Sequence, residues 1–254
     1  MPIKDIDTFA GNADALLSII KDIQALRGKL SLSHEDARVV ALDNCEANTS
    51  AVVMIQRIFA AVNCKIPTAT AVVNSNTLIS PVALCDMMGT DISNLTTDAG
   101  RVDDLLRLGY VILYQFQIEN LFKNLMMALG TSPPTTSWHS LANDFLKKIS
   151  VKDKDRSFEI LNILALLRNS YHSNGIHNPP PMKNKLRRSD VNIVIDSAEF
   201  KFINGERVTC AGWAYVEVAI RAGLKVLDEI LFSTEIVSLK APVKDEYVTQ
   251  RLAK

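Results

Sequence analysis

The sequence predicts a mainly α protein: an N-terminal helical region, then a four-helix bundle with a small β-hairpin inserted before its last helix. Three observations lead there. Only 10 Gly and 9 Pro in 254 residues leave little room for the frequent turns of an all-β fold. Long stretches rich in Leu, Ala, Ile, Lys and Glu carry apolar residues at helical spacing. Apolar alternation of period two appears only after Val191, around Asn204-Gly205.

Taken in order, residues 8–30 place Leu16, Ile19, Ile20, Ile23 and Leu26 on one helical face. Ser33 with Asp36 resembles a helix start, and a second long helix is expected from about residue 34 to Val62. A short connection makes the two antiparallel neighbours. Residues 65–97, rich in Thr, Ser, Asn and Pro, read as a connector with one short helix around Leu78–Met88. A domain boundary is expected near residue 95, giving an N-terminal region 1–95, a bundle 96–234 and a tail 235–254.

In the bundle, Asp98 is placed to cap a helix from about Val102 to Leu129, stopped by Gly130 and Thr-Ser-Pro-Pro. Ser137 begins a shorter helix to about Ile149. Asp153 or Asp155 caps the next helix, whose stretch Phe158–Leu167 is apolar almost all round and so belongs in the core. It ends at Ser173-Asn174-Gly175, a left-handed stop. Three Pro at 179–181 and a basic run follow. Then VNIVID, EFKFI and ERVTC read as strands, with Asn204-Gly205 as the hairpin turn. No strand is expected outside 190–210. A last helix runs from about Ala211 to Leu231.

Composition narrows the function. The 28 basic and 28 acidic residues give a formal net charge of zero, which argues against a protein that coats nucleic acid non-specifically. A small site with a local basic rim remains compatible with it. Cys45, Cys64, Cys85 and Cys210 are scattered without a C-x-x-C pair, which points to reduced thiols rather than a zinc site. No metal or other cofactor is expected. The first residues lack a basic stretch leading into an apolar one, and no segment has the length of a membrane span, so a cytoplasmic protein is expected.

One stretch carries chemistry: Leu166-Leu-Arg-Asn-Ser-Tyr-His-Ser-Asn-Gly-Ile-His177. Arg168 and His172 lie four apart, on one helical face that continues from Leu161 and Leu164. A guanidinium set at the end of an apolar stripe must be paired or must open onto a cleft. Glu119, inside the apolar segment Leu108–Leu129, reads as an ion-pair partner for Arg168 or as part of a solvated face, the second preferred. Tyr171 suits a core or interface aromatic better than a base-stacking one. Lys183, Lys185, Arg187 and Arg188 suit either phosphates or plain solvent. Trp138 and Trp213 are expected to pack against the bundle.

Four helices with Arg168, the polar Asn169 and a following His at the end of the third resemble the HEPN family of nucleotide-binding and ribonuclease domains. The resemblance covers roughly residues 98–233. The family's motif carries four to six residues between Arg and His; here three separate Arg168 from His172 and eight separate it from His177. Either His172 acts from the helix end or His177 reaches back from the loop, and the first is preferred. The resemblance implies metal-independent cleavage of RNA, of the toxin or antiviral-defence type. In it a histidine takes the ribose 2′-hydroxyl proton, Arg168 steadies the phosphoryl charge, and a homodimer lines one cleft with two motifs. A non-catalytic module that binds a nucleotide or a regulatory protein partner is the alternative.

Overall fold

The structure is a computed structural model that describes residues 9–63, 71–74, 77–79, 91–133, 137–179, 190–239 and 242–245. It is mainly helical, with a small antiparallel hairpin ahead of the last helices. Helix α1 (Phe9–Lys29) buries Leu16, Ile19, Ile23 and Leu26 at the expected spacing. Helix α2 (Ala37–Asn63) runs antiparallel to it, as two contacts at opposite ends show: Arg27 pairs with Asp43 at 3.2 Å, and the rings of Phe9 and Phe59 lie 5.3 Å apart.

Strands β1 (Ala71–Asn74) and β2 (Thr77–Ile79) form a small hairpin in the connector, where no strand was expected. The β-branched Val72-Val73 favour that pairing over a loop. Most of the short helix expected at 78–88 lies outside the described residues.

Helix α3 (Ile92–Ala128) begins ten residues before the expected start, so the boundary expected near residue 95 falls in its first turn. Asp98 sits inside the helix and not at its cap. No Pro interrupts 92–101, and packing of a long helix outweighs one capping preference. α3 is antiparallel to α2, through Gln56–Asp103, Thr49–Tyr110 at 3.0 Å and Asn44–Gln117 at 3.2 Å.

Helix α4 (Trp138–Lys148) is capped by Ser137 and helix α5 (Lys154–His172) by Asp153, each through its side chain. Strands β3 (Val191–Ile195) and β4 (Ala198–Phe202) pair in register Val191↔Phe202 to Ile195↔Ala198. Their turn is Asp196-Ser197, both at positive φ, the two-residue geometry that matches strand twist. The expected hairpin at Asn204-Gly205 is therefore corrected. That turn leads out of β4, and residues 206–210 form no strand beside it. Arg207 instead bridges to Ile176, past the end of α5.

Helix α6 (Trp213–Leu231) packs on α5 and α1, with Arg221 reaching Asp22 at 2.5 Å and Lys29 reaching Asp228 at 2.9 Å. Buried side chains from α1 and α2 join those of α3–α6 and of the β3–β4 hairpin in one hydrophobic core. A short helix α7 (Thr234–Val237) follows.

Beyond it, part of the expected tail is docked. Val243 is buried and exchanges hydrogen bonds with Ala37 N and the Asp36 carboxylate. Asp36 is fully buried and also accepts from Arg38 through its backbone N, Nε and Nη2. Burial pushes the Asp36 carboxyl up, but these donors and the Arg38 charge outweigh it and hold the group below the ordinary carboxylate value.

Candidate active site at the end of α5

The apolar run of α5 buries Leu161, Ile163, Leu164, Ala165 and Leu167 and delivers Arg168 to the rim of the core. Its side chain is 18 % exposed. The guanidinium donates from Nε and Nη2 to Asn169 Oδ1 at 3.3 Å, and Nη1 lies 3.8 Å from Glu119 Oε2. Glu119 in turn holds Lys123 at 2.7 Å, one helical turn further along α3. The preferred reading of Glu119 as a solvated residue is thus corrected: α3 turns that face toward α5, and the carboxylate sits between two cations.

His172 is the last residue of α5 and is exposed, and its ring makes no hydrogen bond or ion pair among the described residues. The helix stops just past it. Asn174 takes positive φ, its N–H donates to Tyr171 O, and the N–H of Gly175 reaches back to Ser170 O at 2.8 Å. This pair of bonds is the left-handed stop that Ser173-Asn174-Gly175 led one to expect.

His177 has a different setting. It is 3 % exposed, with its ring centroid 5.5 Å from that of Phe202. Its backbone N–H donates to Glu206 O, and its carbonyl accepts from Gly205 N. The Asn204-Gly205 turn and the loop after α5 therefore lock into each other and enclose His177.

Tyr171 is half-buried. Its hydroxyl donates to Ala211 O at 3.2 Å and accepts from Arg107 Nε at 3.3 Å. Arg107 also pairs with Asp104 at 2.6 Å and lies 3.7 Å from Asp103, which accepts from Trp213 Nε1. Burial opposes the Arg107 charge, yet Tyr171 and Asp104 more than restore it, so the guanidinium stays ionised. Trp138 stacks on Phe122 with centroids 5.5 Å apart.

Arg107 and Lys123 were not singled out from sequence. Each is four residues after a carboxylate, Asp103 and Glu119, and that spacing was the available signal. Lys183, Lys185, Arg187 and Arg188 lie outside the described residues. Among the described residues, no group of three His, Cys, Asp or Glu side chains is arranged to hold a metal ion. No helix of the described residues is long and apolar enough to cross a membrane.

A surface cavity of about 540 Å³ lies elsewhere, lined by Lys29, Val151, Lys152, Asp228 and Phe232 among others. It borders the loop 150–152 ahead of α5, whose first residue Lys154 lies roughly 21 Å along the helix from Arg168 at 1.5 Å rise per residue. The Arg168–His172 end is not part of it.

Comparison of the chain with protein-family models, with curated proteins and with solved structures finds no match in any of the three.

Proposed function

We propose that this chain is a metal-independent RNA endonuclease, working as a homodimer in the manner of toxin or antiviral-defence effectors. One observation carries the reading: a guanidinium anchored by Asn169 and Glu119 stands one helical turn from an exposed imidazole at the same helix end. The two groups supply a fixed cation and an imidazole that can take or give a proton. An open helix end suits a polymer laid across it better than a small molecule that needs enclosure.

In the proposed reaction His172 takes the 2′-hydroxyl proton as that oxygen bonds to the adjacent phosphorus. The bond from phosphorus to the 5′-oxygen breaks, and the departing oxygen takes a proton from the histidine of the second copy. Arg168 steadies the charge on the phosphoryl oxygens. The products are a 2′,3′-cyclic phosphate and a 5′-hydroxyl. The test is purified protein with total RNA in EDTA, beside an Arg168→Ala control. Cleavage lost in the control supports the reading, and intact RNA in both removes it.

A second reading has its own support. Arg168 already carries a carboxylate partner, and no described residue orients the His172 ring by a hydrogen bond. These favour a non-catalytic module in which Arg168 holds a nucleotide phosphate or an acidic group of a regulatory protein partner.

A further inference from the structure

The His172 ring has no tether of its own among the described residues, so the backbone turn it stands on decides where it points. Arg168 is better held, by Asn169 and Glu119. The last turn of a helix lacks half of its intrahelical bonds and frays unless something outside the helix ties it down. Between the two residues, Tyr171 carries such a tie. At about 100° per residue its side chain leaves the helix roughly 60° from that of Arg168 and 100° from that of His172, away from both.

We propose that Arg107 is a positioning residue for this helix end: through the Tyr171 hydroxyl it fixes the last turn of α5, from which Arg168 and His172 project. The hydroxyl has one proton and gives it to Ala211 O at 3.2 Å, just ahead of α6. Its oxygen is then left to accept from Arg107 Nε on α3, at 3.3 Å. One phenol is thus held from two separate elements. The bond from the guanidinium is charge-assisted, the stronger kind.

Arg107 serves as an anchor because it is itself anchored. Its side chain is 17 % exposed, with Nη2 at 2.6 Å from Asp104 and Nη1 at 3.7 Å from Asp103. Nε is left for Tyr171. Three nitrogens of one planar group meet three acceptors, an arrangement that the point charge of a lysine does not reproduce. Asp103 is fixed in turn, accepting from Trp213 Nε1 of α6 at 2.9 Å and from Gln56 of α2. The chain of contacts Gln56–Asp103–Arg107–Tyr171 therefore ties the end of α5 to three other helices.

An acid–base group misplaced by about 1 Å loses on the order of 10²-fold in rate, and groups are held to such tolerances by the side chains that support them. Loosening the last turn lowers the chemical step, which needs His172 in place. Substrate binding through Arg168 suffers less, because that side chain keeps its own partners. The effect on rate rests on the ribonuclease reading, whereas the fixing of the helix end does not.

The test uses the full chain with Tyr171→Phe, which keeps the ring and removes the hydroxyl, with Arg107→Lys, which keeps the charge and removes the fork, and with both. The first measurement is amide hydrogen exchange, which needs no RNA. Amides of residues 169–175 should exchange about tenfold faster in Tyr171→Phe and roughly three- to tenfold faster in Arg107→Lys, the worth of one or two hydrogen bonds. Amides of 161–165, in the buried run of α5, should keep their wild-type rates. In the Tyr171→Phe background Arg107→Lys should add nothing, because the contact it breaks is already gone. With a labelled RNA oligonucleotide, both single variants should lose about tenfold in kcat with KM within about twofold of wild type. Unchanged exchange at 169–175, a rise along all of α5, or losses that add in the double variant overturn the proposal. Variants that cleave RNA at the wild-type kcat, or that lose only in KM, overturn it and leave the ribonuclease reading standing. RNA left intact by wild type removes that reading, and exchange alone then decides the positioning.

Discussion

Replacing the two histidines near the end of α5 separates chemistry from packing. His177 is 3 % exposed, set against Phe202 and enclosed by the 205–208 segment. Cutting it to alanine removes a buried ring and leaves a cavity, a loss of roughly 2–3 kcal/mol, somewhat below the cost of truncating a buried Phe. At about 2–4 °C per kcal/mol for a chain of this size, the midpoint falls by roughly 4–12 °C. His172 is exposed and without a described partner, so His172→Ala should stay within about 0.5 kcal/mol of wild type. Its cost appears in the rate instead, on the order of 10²–10⁴, the worth of a positioned acid–base group. Both variants are melted by circular dichroism, then assayed on a labelled RNA oligonucleotide in EDTA well below either midpoint. A fully active His172→Ala, or a folded but inactive His177→Ala, refutes the assignment.

Arg168→Lys should lose most of the cleavage rate, because an ammonium cannot both keep Asn169 and present a planar fork to a phosphate; the measurement is kcat/KM beside Arg168→Ala. Cleavage should spare DNA of the same sequence, which lacks the attacking hydroxyl, and leave 2′,3′-cyclic ends identifiable by mass spectrometry; 3′-hydroxyl ends would contradict the mechanism. Asp36→Asn strands the buried Arg38 and should cost about 3 kcal/mol at pH 7, read from urea midpoints. The Asp36 carboxyl is held below its ordinary 3.8, so its contribution is complete above about pH 4 and disappears as pH falls through the lower folded value. The gap between wild type and Asp36→Asn should therefore close in that acid window; a gap that is constant with pH would show that the charge is not its source.

The sequence by itself determined the helical class, and it did so through local physics. Apolar spacing at Leu16–Leu26 marked α1, Ser137 and Asp153 capped α4 and α5, and Ser173-Asn174-Gly175 ended α5 just past His172. Each signal is complete within one or two turns of chain. Arg168, Asn169 and His172 were legible for the same reason, all three lying within the last five residues of α5.

Tertiary structure decided what depended on a partner far away in the chain. Glu119 became the counter-charge of Arg168 only because α3 sets that face toward α5. The Asn204-Gly205 signal was real as a turn, but its partner proved to be the loop after α5, which buries His177 and distinguishes it from His172. Val243 is fastened to Asp36 across two hundred residues, a contact no local pattern encodes. The α3 face of Val102, Leu105, Leu113 and Phe116 reads in sequence as ordinary core spacing. Only the placement of α2 on one side and α5 on the other leaves it facing water, because burial belongs to the assembled surfaces and not to any one helix.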